Sequence, residues 1–136
     1  MLNYQLPFEH QDIYYDTIRE TDRAEVVHIL THYFGPFEPM NHSVGITAQD
    51  FSEFAKLMTD YVIEKKLSLV AKDKKTQKIV SVTILKDFLD ELPIDVVEVC
   101  PKLLPVFALM GELAGQYIEE NTKIERGNIM ELLVGI

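Results

Sequence analysis

Apolar positions along the chain switch between two spacings, and the switches mark out the elements. Asp12–Glu20 (DIYYDTIRE) is rich in Ile, Tyr and Thr and predicts a first strand. Thr21 and Asp22 are capping residues for a helix that carries Val26, Val27, Ile29 and Leu30 before the break at Gly35-Pro36. Gly35–Gly45 (GPFEPMNHSVG) holds too many turn formers for a regular element. Thr47 opens a second helix, with Asp50 in its first turn. Phe51, Phe54, Leu57, Met58, Tyr61 and Val62 follow at helical spacing as far as about Lys65.

Leu67–Lys72 and Lys78–Leu85 read as two strands joined by the polar turn Asp73–Gln77, the clearest hairpin in the sequence. Asp87–Val99 is acidic and irregular. Pro101 starts a third helix, reaching Glu119, whose apolar residues cover most of its faces; Pro105 is tolerated because it falls in the first turn. Asn121–Asn128 is rich in turn formers, and Ile129–Ile136 (IMELLVGI) is a final apolar strand. The order strand, helix, helix, strand, strand, helix, strand predicts an α/β fold with a mixed sheet and helices packed on it, within one domain over residues 1–136. So apolar a final strand is expected in the centre of its sheet.

Composition narrows the function classes. The chain has 136 residues, 47% of them hydrophobic and 26% charged, enough for a real core and unlike a disordered segment. A formal charge of −9 disfavours nucleic acid, whose recognition rests on clustered Lys and Arg. The same charge would steer cationic amines toward the protein, although its plainer role is solubility. No run is long enough to span a membrane, and Met1–Gln11 has neither the basic start nor the apolar stretch of a signal peptide, so a cytoplasmic protein is expected. The single cysteine, Cys100, excludes an internal disulfide and a cysteine-rich metal site. With no basic neighbour nearer than Lys102, it reads as a packed thiol rather than a nucleophile. His28 and His32 share a helical face with Glu25 a turn earlier. They lack the His-Glu-x-x-His order and a third ligand, so no metal is expected.

Phe34–Ile46 (FGPFEPMNHSVGI) resembles the loop of arylalkylamine N-acetyltransferase-like proteins of the GNAT superfamily, where a Glu-Pro-Leu-Asn element lies between the first two helices. Here the element is Glu38, Pro39, Met40 and Asn41. Leu67–Val82 is similar to that family's second and third strands, although Gln77 and Ser81 stand where glycines are common. Pro101–Glu119 and Met130–Ile136 also fall in the family order. The resemblance implies transfer of an acetyl group from acetyl-CoA to a small arylalkylamine. It assigns Glu38 as the base that deprotonates the amine, and Val134 and Ile136 as main-chain partners of the coenzyme's pantetheine arm. Phe34, Phe37 and His42 would line the amine pocket, with Phe51 and Phe54 as further aromatic candidates. The plainer readings are an exposed turn glutamate, core strand residues, and a loop histidine with a local hydrogen bond.

The family's coenzyme motif, Arg/Gln-x-x-Gly-x-Gly/Ala, directly follows the strand matched by Met130–Ile136, and the sequence has no such motif. The expectation is therefore an N-terminal half of the fold, with its sheet incomplete after a fourth strand and negligible coenzyme affinity alone. Three origins stay open: a fragment, a truncated gene product, or a domain completed by a C-terminal half from another polypeptide. A homodimer closing the sheet, or a non-catalytic module that binds a ligand or dimerises, is the alternative.

Overall fold

The computed structural model describes residues 5–136. Its single sheet contains β1 (Phe8–His10), β2 (Ile13–Thr17), β3 (Leu69–Asp73), β4 (Ile79–Asp87) and β5 (Met130–Gly135), in that spatial order and antiparallel at every pairing. The expected α/β architecture is present, with five strands instead of four and, among the described residues, antiparallel pairing throughout instead of a mixed sheet. The additional strand, β1, is three residues long and folds onto β2 through a two-residue turn at Gln11-Asp12, with Gln11 at φ 53°. No glycine or asparagine marks that left-handed position, so the usual hairpin signal is missing. The hairpin of β3 and β4 is antiparallel as expected.

Helices α1 (Arg23–Ile29) and α3 (Ala48–Lys65) follow the apolar spacing. Thr47 accepts a hydrogen bond from the Asp50 N–H (3.1 Å), while the Asp50 carboxylate accepts from the Thr47 N–H (2.9 Å), a reciprocal cap that fixes the start of α3. The segment expected to be irregular contains a short helix, α2 (Pro39–Ser43), built on two signals: a carboxylate cap at Glu38 and proline at the first helical position. Beyond β4 come a single turn, α4 (Val96–Val99), and the longer α5 (Leu104–Glu120).

The core joins Val26 of α1, Leu30 just after it, Phe51, Phe54, Met58 and Val62 of α3, Val82 and Ile84 of β4, and Val134 of β5. Cys100 belongs to it, and burial pushes its thiol pKa up, opposite to what an activated nucleophile needs.

Among the described residues β5 is an edge strand, the open side expected of a sheet incomplete after this strand, with Met130 and Leu132 exposed (56% and 61%) and Val134 buried. The apolar residues on most faces of α5 are not all covered: Leu104, Leu109, Leu113, Tyr117 and Ile118 are exposed. An apolar pattern shows which residues resist water; it does not show which neighbour supplies the cover.

Candidate functional site

Between α2, α3, α5 and β5 lies a cavity of about 370 Å³ with a mostly apolar lining. Phe34 enters it from a widened turn of helix (Leu30–Phe34), in which the Gly35 N–H reaches back to the Leu30 carbonyl at 2.8 Å. Phe51, Phe54 and Met58 of α3 form one wall; Leu103 with Val106, Phe107 and Met110 of α5 forms the other. Phe54 bridges the walls, its ring centroid 5.2 Å from Phe51 and 5.6 Å from Phe107. The glycine at position 35 is sterically required, because a Cβ there would lie 2.6 Å from the Phe51 ring.

Glu38 and Asn41 bring polar groups to this cavity, with Met40 beside them. Glu38 Oε2 accepts the Asn41 N–H at 2.8 Å and so caps α2. That bond holds the half-buried carboxylate at the cavity, and Oε1 accepts no hydrogen bond from the described residues. A carboxylate with one oxygen anchored and the other free, against an aromatic wall, can accept a proton from a bound molecule.

Of the residues singled out in sequence, Glu38, Phe34 and Val134 meet at the cavity, joined by Phe51 and Phe54. Phe37 is 71% exposed and lies outside the lining. His42 is also outside it, with Nδ1 3.3 Å from the Pro36 carbonyl oxygen, the local bond of a loop histidine. The His28 and His32 rings lie 4.6 Å apart and tilted by 46°, beside Tyr33, and among the described residues no group of three His, Cys, Asp or Glu could hold a metal.

The β5 main chain follows a defined alternation. The Ile136 N–H donates to the Val82 carbonyl (3.0 Å) and the Val82 N–H donates to the Ile136 carbonyl (2.7 Å). This closely bonded pair turns the Ile136 peptide groups inward to β4. The register Ile84↔Val134 repeats the arrangement two residues on, whereas Thr83↔Gly135 lies between them. Gly135, not Val134 or Ile136, therefore directs its N–H and C=O to the open edge. Leu85 pairs with Leu132 and Ile84 with Val134, so Leu133 is an extra residue, a bulge at the cavity.

The Asn41, Met40 and α5 contributions were not singled out from sequence. The α5 wall could have been found from Phe107 and Met110, four and seven positions after Leu103 on one helical face. Just ahead of α5, Lys102 Nζ lies 2.8 Å from Asp50 Oδ2, an ion pair that links this end of the helix to the start of α3. That hydrogen bond, with the Thr47 cap, lowers the Asp50 pKa to about 2 from an ordinary value of 3.8. A depressed carboxylate pKa adds stability above the unfolded-state value, and the gain is lost as pH falls through the folded one. Asp50→Asn is expected to reduce the acid-induced drop in melting temperature between about pH 4 and pH 2, with less effect at high salt. Thermal melts across that window check it; an unchanged acid limb would remove Asp50 from the account.

A separate cleft of about 420 Å³ lies at the far end of α5, among Tyr117, Asn121, Thr122 and Ile129. It is shallow and distant in the fold from Glu38, and its charged residues are the exposed Glu120 and Lys123. The cavity at Glu38 is the better candidate, because it combines enclosure, aromatic walls and a positioned carboxylate.

The fold is GNAT-like. It matches the C-terminal condensation domain of Ebony in complex with β-alanyl-dopamine (TM-score 0.75, 20% identity, 90% of this chain and 57% of that one). It also matches arylalkylamine N-acetyltransferase 7 of the yellow fever mosquito (TM-score 0.71, 16% identity, 91% and 52%) and mosquito arylalkylamine N-acetyltransferase like 5b (TM-score 0.60, 16% identity, 90% and 59%). The chain thus spans between half and three fifths of each of these structures. No protein-family model and no curated protein matches the sequence.

Proposed function

We propose that this chain forms the amine-side half of a GNAT-type acyltransferase, passing an acetyl group from acetyl-CoA to a small arylalkylamine. The observation that carries this reading is the convergence of the Glu38 carboxylate, the Phe34, Phe54 and Phe107 rings and the bulged β5 edge on one cavity. The aromatic walls suit an aryl group, and Glu38 Oε1 is free to take the amine proton. Loss of that proton frees the nitrogen lone pair, which forms the C–N bond as the thioester C–S bond breaks; the leaving thiolate takes up a proton. The outward peptide groups of Gly135 offer the pantetheine arm the pairing that a strand offers a peptide. The coenzyme supplies the activated acyl group. Its pyrophosphate needs a cradle of backbone N–H groups, which we assign to a segment outside these residues because the sequence has no Arg/Gln-x-x-Gly-x-Gly/Ala motif.

Thiol release from acetyl-CoA with 2-phenylethylamine as acceptor tests the reading, using this chain joined to such a segment. Amine-dependent release above background is expected, and none would contradict it. Calorimetry should give negligible acetyl-CoA affinity for the 136 residues alone, and saturable binding would overturn the assignment of the cradle. A cytoplasmic location fits the proposed use of acetyl-CoA; no helix among the described residues is long and apolar enough to cross a membrane.

The exposed apolar face of α5 and β5 favours a second reading, a dimerising module without catalysis. Open strand edges beside apolar surface recruit partners, and a two-fold contact is the commonest closure for identical chains. The expected result is a concentration-dependent dimer by light scattering across a dilution series. A monomer at every concentration, with slowly exchanging Met130–Gly135 amides, would contradict it.

A further inference from the structure

Asn41 is the one polar side chain of the cavity that the fold itself leaves unused. The residue is 4% exposed, its N–H is given to Glu38, and its carbonyl accepts the Ile46 N–H at 3.1 Å. Its side-chain amide makes no hydrogen bond with any described residue. Unlike the sealed hydroxyl of Thr31, this amide keeps some accessible surface, and Asn41 lines the cavity, so a molecule bound there can reach it. An occupant that displaces water from this amide must replace the lost bond or leave a buried polar group unpaired, at a free-energy cost.

We infer that Asn41 is a binding residue for the amine, its Oδ1 accepting an N–H from the same nitrogen that Glu38 engages. This rests on the proposed amine site and names a second group that recognises the nitrogen. A primary ammonium carries three N–H donors and no acceptor, so in an apolar cavity it needs several oxygens around it. Glu38 can offer only Oε1, because Oε2 is committed to the α2 cap. That committed oxygen lies 2.8 Å from the backbone nitrogen of Asn41 itself, which puts the free amide within one side chain's length of the carboxylate. The two acceptors belong to the same short segment, so the cap that fixes Glu38 also fixes their separation. An amine then meets a charge and a neutral acceptor together, whereas an apolar molecule of the same shape leaves both unpaired.

Calorimetric titration of the chain with 2-phenylethylamine and with ethylbenzene, which lacks the amine, tests this directly. Asn41→Leu removes the amide at nearly constant volume, and Asn41→Asp keeps an acceptor. The expected results are amine affinity about 10- to 100-fold weaker in Asn41→Leu, ethylbenzene affinity unchanged or higher, and amine affinity retained in Asn41→Asp. Equal weakening for both ligands would show a structural role and overturn the assignment, as would unchanged amine affinity in Asn41→Leu. Amine loss in Asn41→Asp as large as in Asn41→Leu would overturn the acceptor role. Wild-type binding of the amine alongside an inert Asn41 would sink this inference alone. No saturable amine binding by wild type would sink the inference and the amine site together.

Discussion

Replacing Glu38 by glutamine in the catalytically complete protein is expected to lower the acyl-transfer rate by about 10²–10⁴-fold, the usual loss when a general base is removed. Glutamine suits the test because Glu38 has two tasks. Its Oε2 caps α2, and a glutamine oxygen can still accept the Asn41 N–H, so the segment should keep its shape. Only the basic free oxygen is lost. The melting temperature should therefore change little while the rate collapses, and the residual rate should rise with pH as more amine is already neutral in solution. Rate–pH profiles of both proteins check this. An unchanged rate and profile would remove Glu38 from the mechanism and leave it a helix cap.

The second large effect is on the walls. Phe54→Ala is expected to cost about 3–5 kcal/mol of folding stability, the range for a large core aromatic cut to alanine. Phe54 is 2% exposed and touches Phe51 on its own helix and Phe107 on α5, so its removal separates two walls as well as emptying a volume. A domain of this size holds only about 5–15 kcal/mol in total. Urea denaturation measures the loss, and Phe54→Leu should cost much less because it restores most of the packing. A cost below about 1 kcal/mol for the alanine variant would mean that the ring is not the joint between α3 and α5.

Local signals in the sequence recover most of the frame. Thr47 and Asp50 announce α3, the β3–β4 hairpin follows from its alternation and polar turn, and Met130–Gly135 follows from its apolar run. The short strand Phe8–His10 escapes because its turn uses glutamine in a left-handed conformation, where sequence reading looks for glycine or asparagine. Helix α2 escapes because turn residues dominate the composition of Gly35–Gly45, although Glu38-Pro39 is itself a helix-start signal. What covers β5 is illegible for a deeper reason: periodicity reports the wish of a residue for burial, and pairing partners are a property of the whole sheet.

The candidate site divides along the same line. Glu38 and Phe34 are legible because they sit in a recognisable local stretch, and both reach the cavity. Phe37 and His42 share that stretch, yet both lie outside the cavity: Phe37 is exposed to solvent and the His42 ring turns back to the Pro36 carbonyl, and residue spacing alone does not show this. The choice of Val134 and Ile136 as main-chain donors turns on strand phase. Only the paired bonds between Val82 and Ile136 show that Gly135 faces outward.

The most direct measurement is a two-dimensional NMR titration of the labelled chain with 2-phenylethylamine. The amine should shift, in a saturable way, the resonances of Glu38, Asn41, Phe54, Phe107 and Val134, all around the one cavity. Shifts that stay away from these residues, or that gather at Tyr117, Asn121 and Ile129 at the far end of α5, would contradict the account.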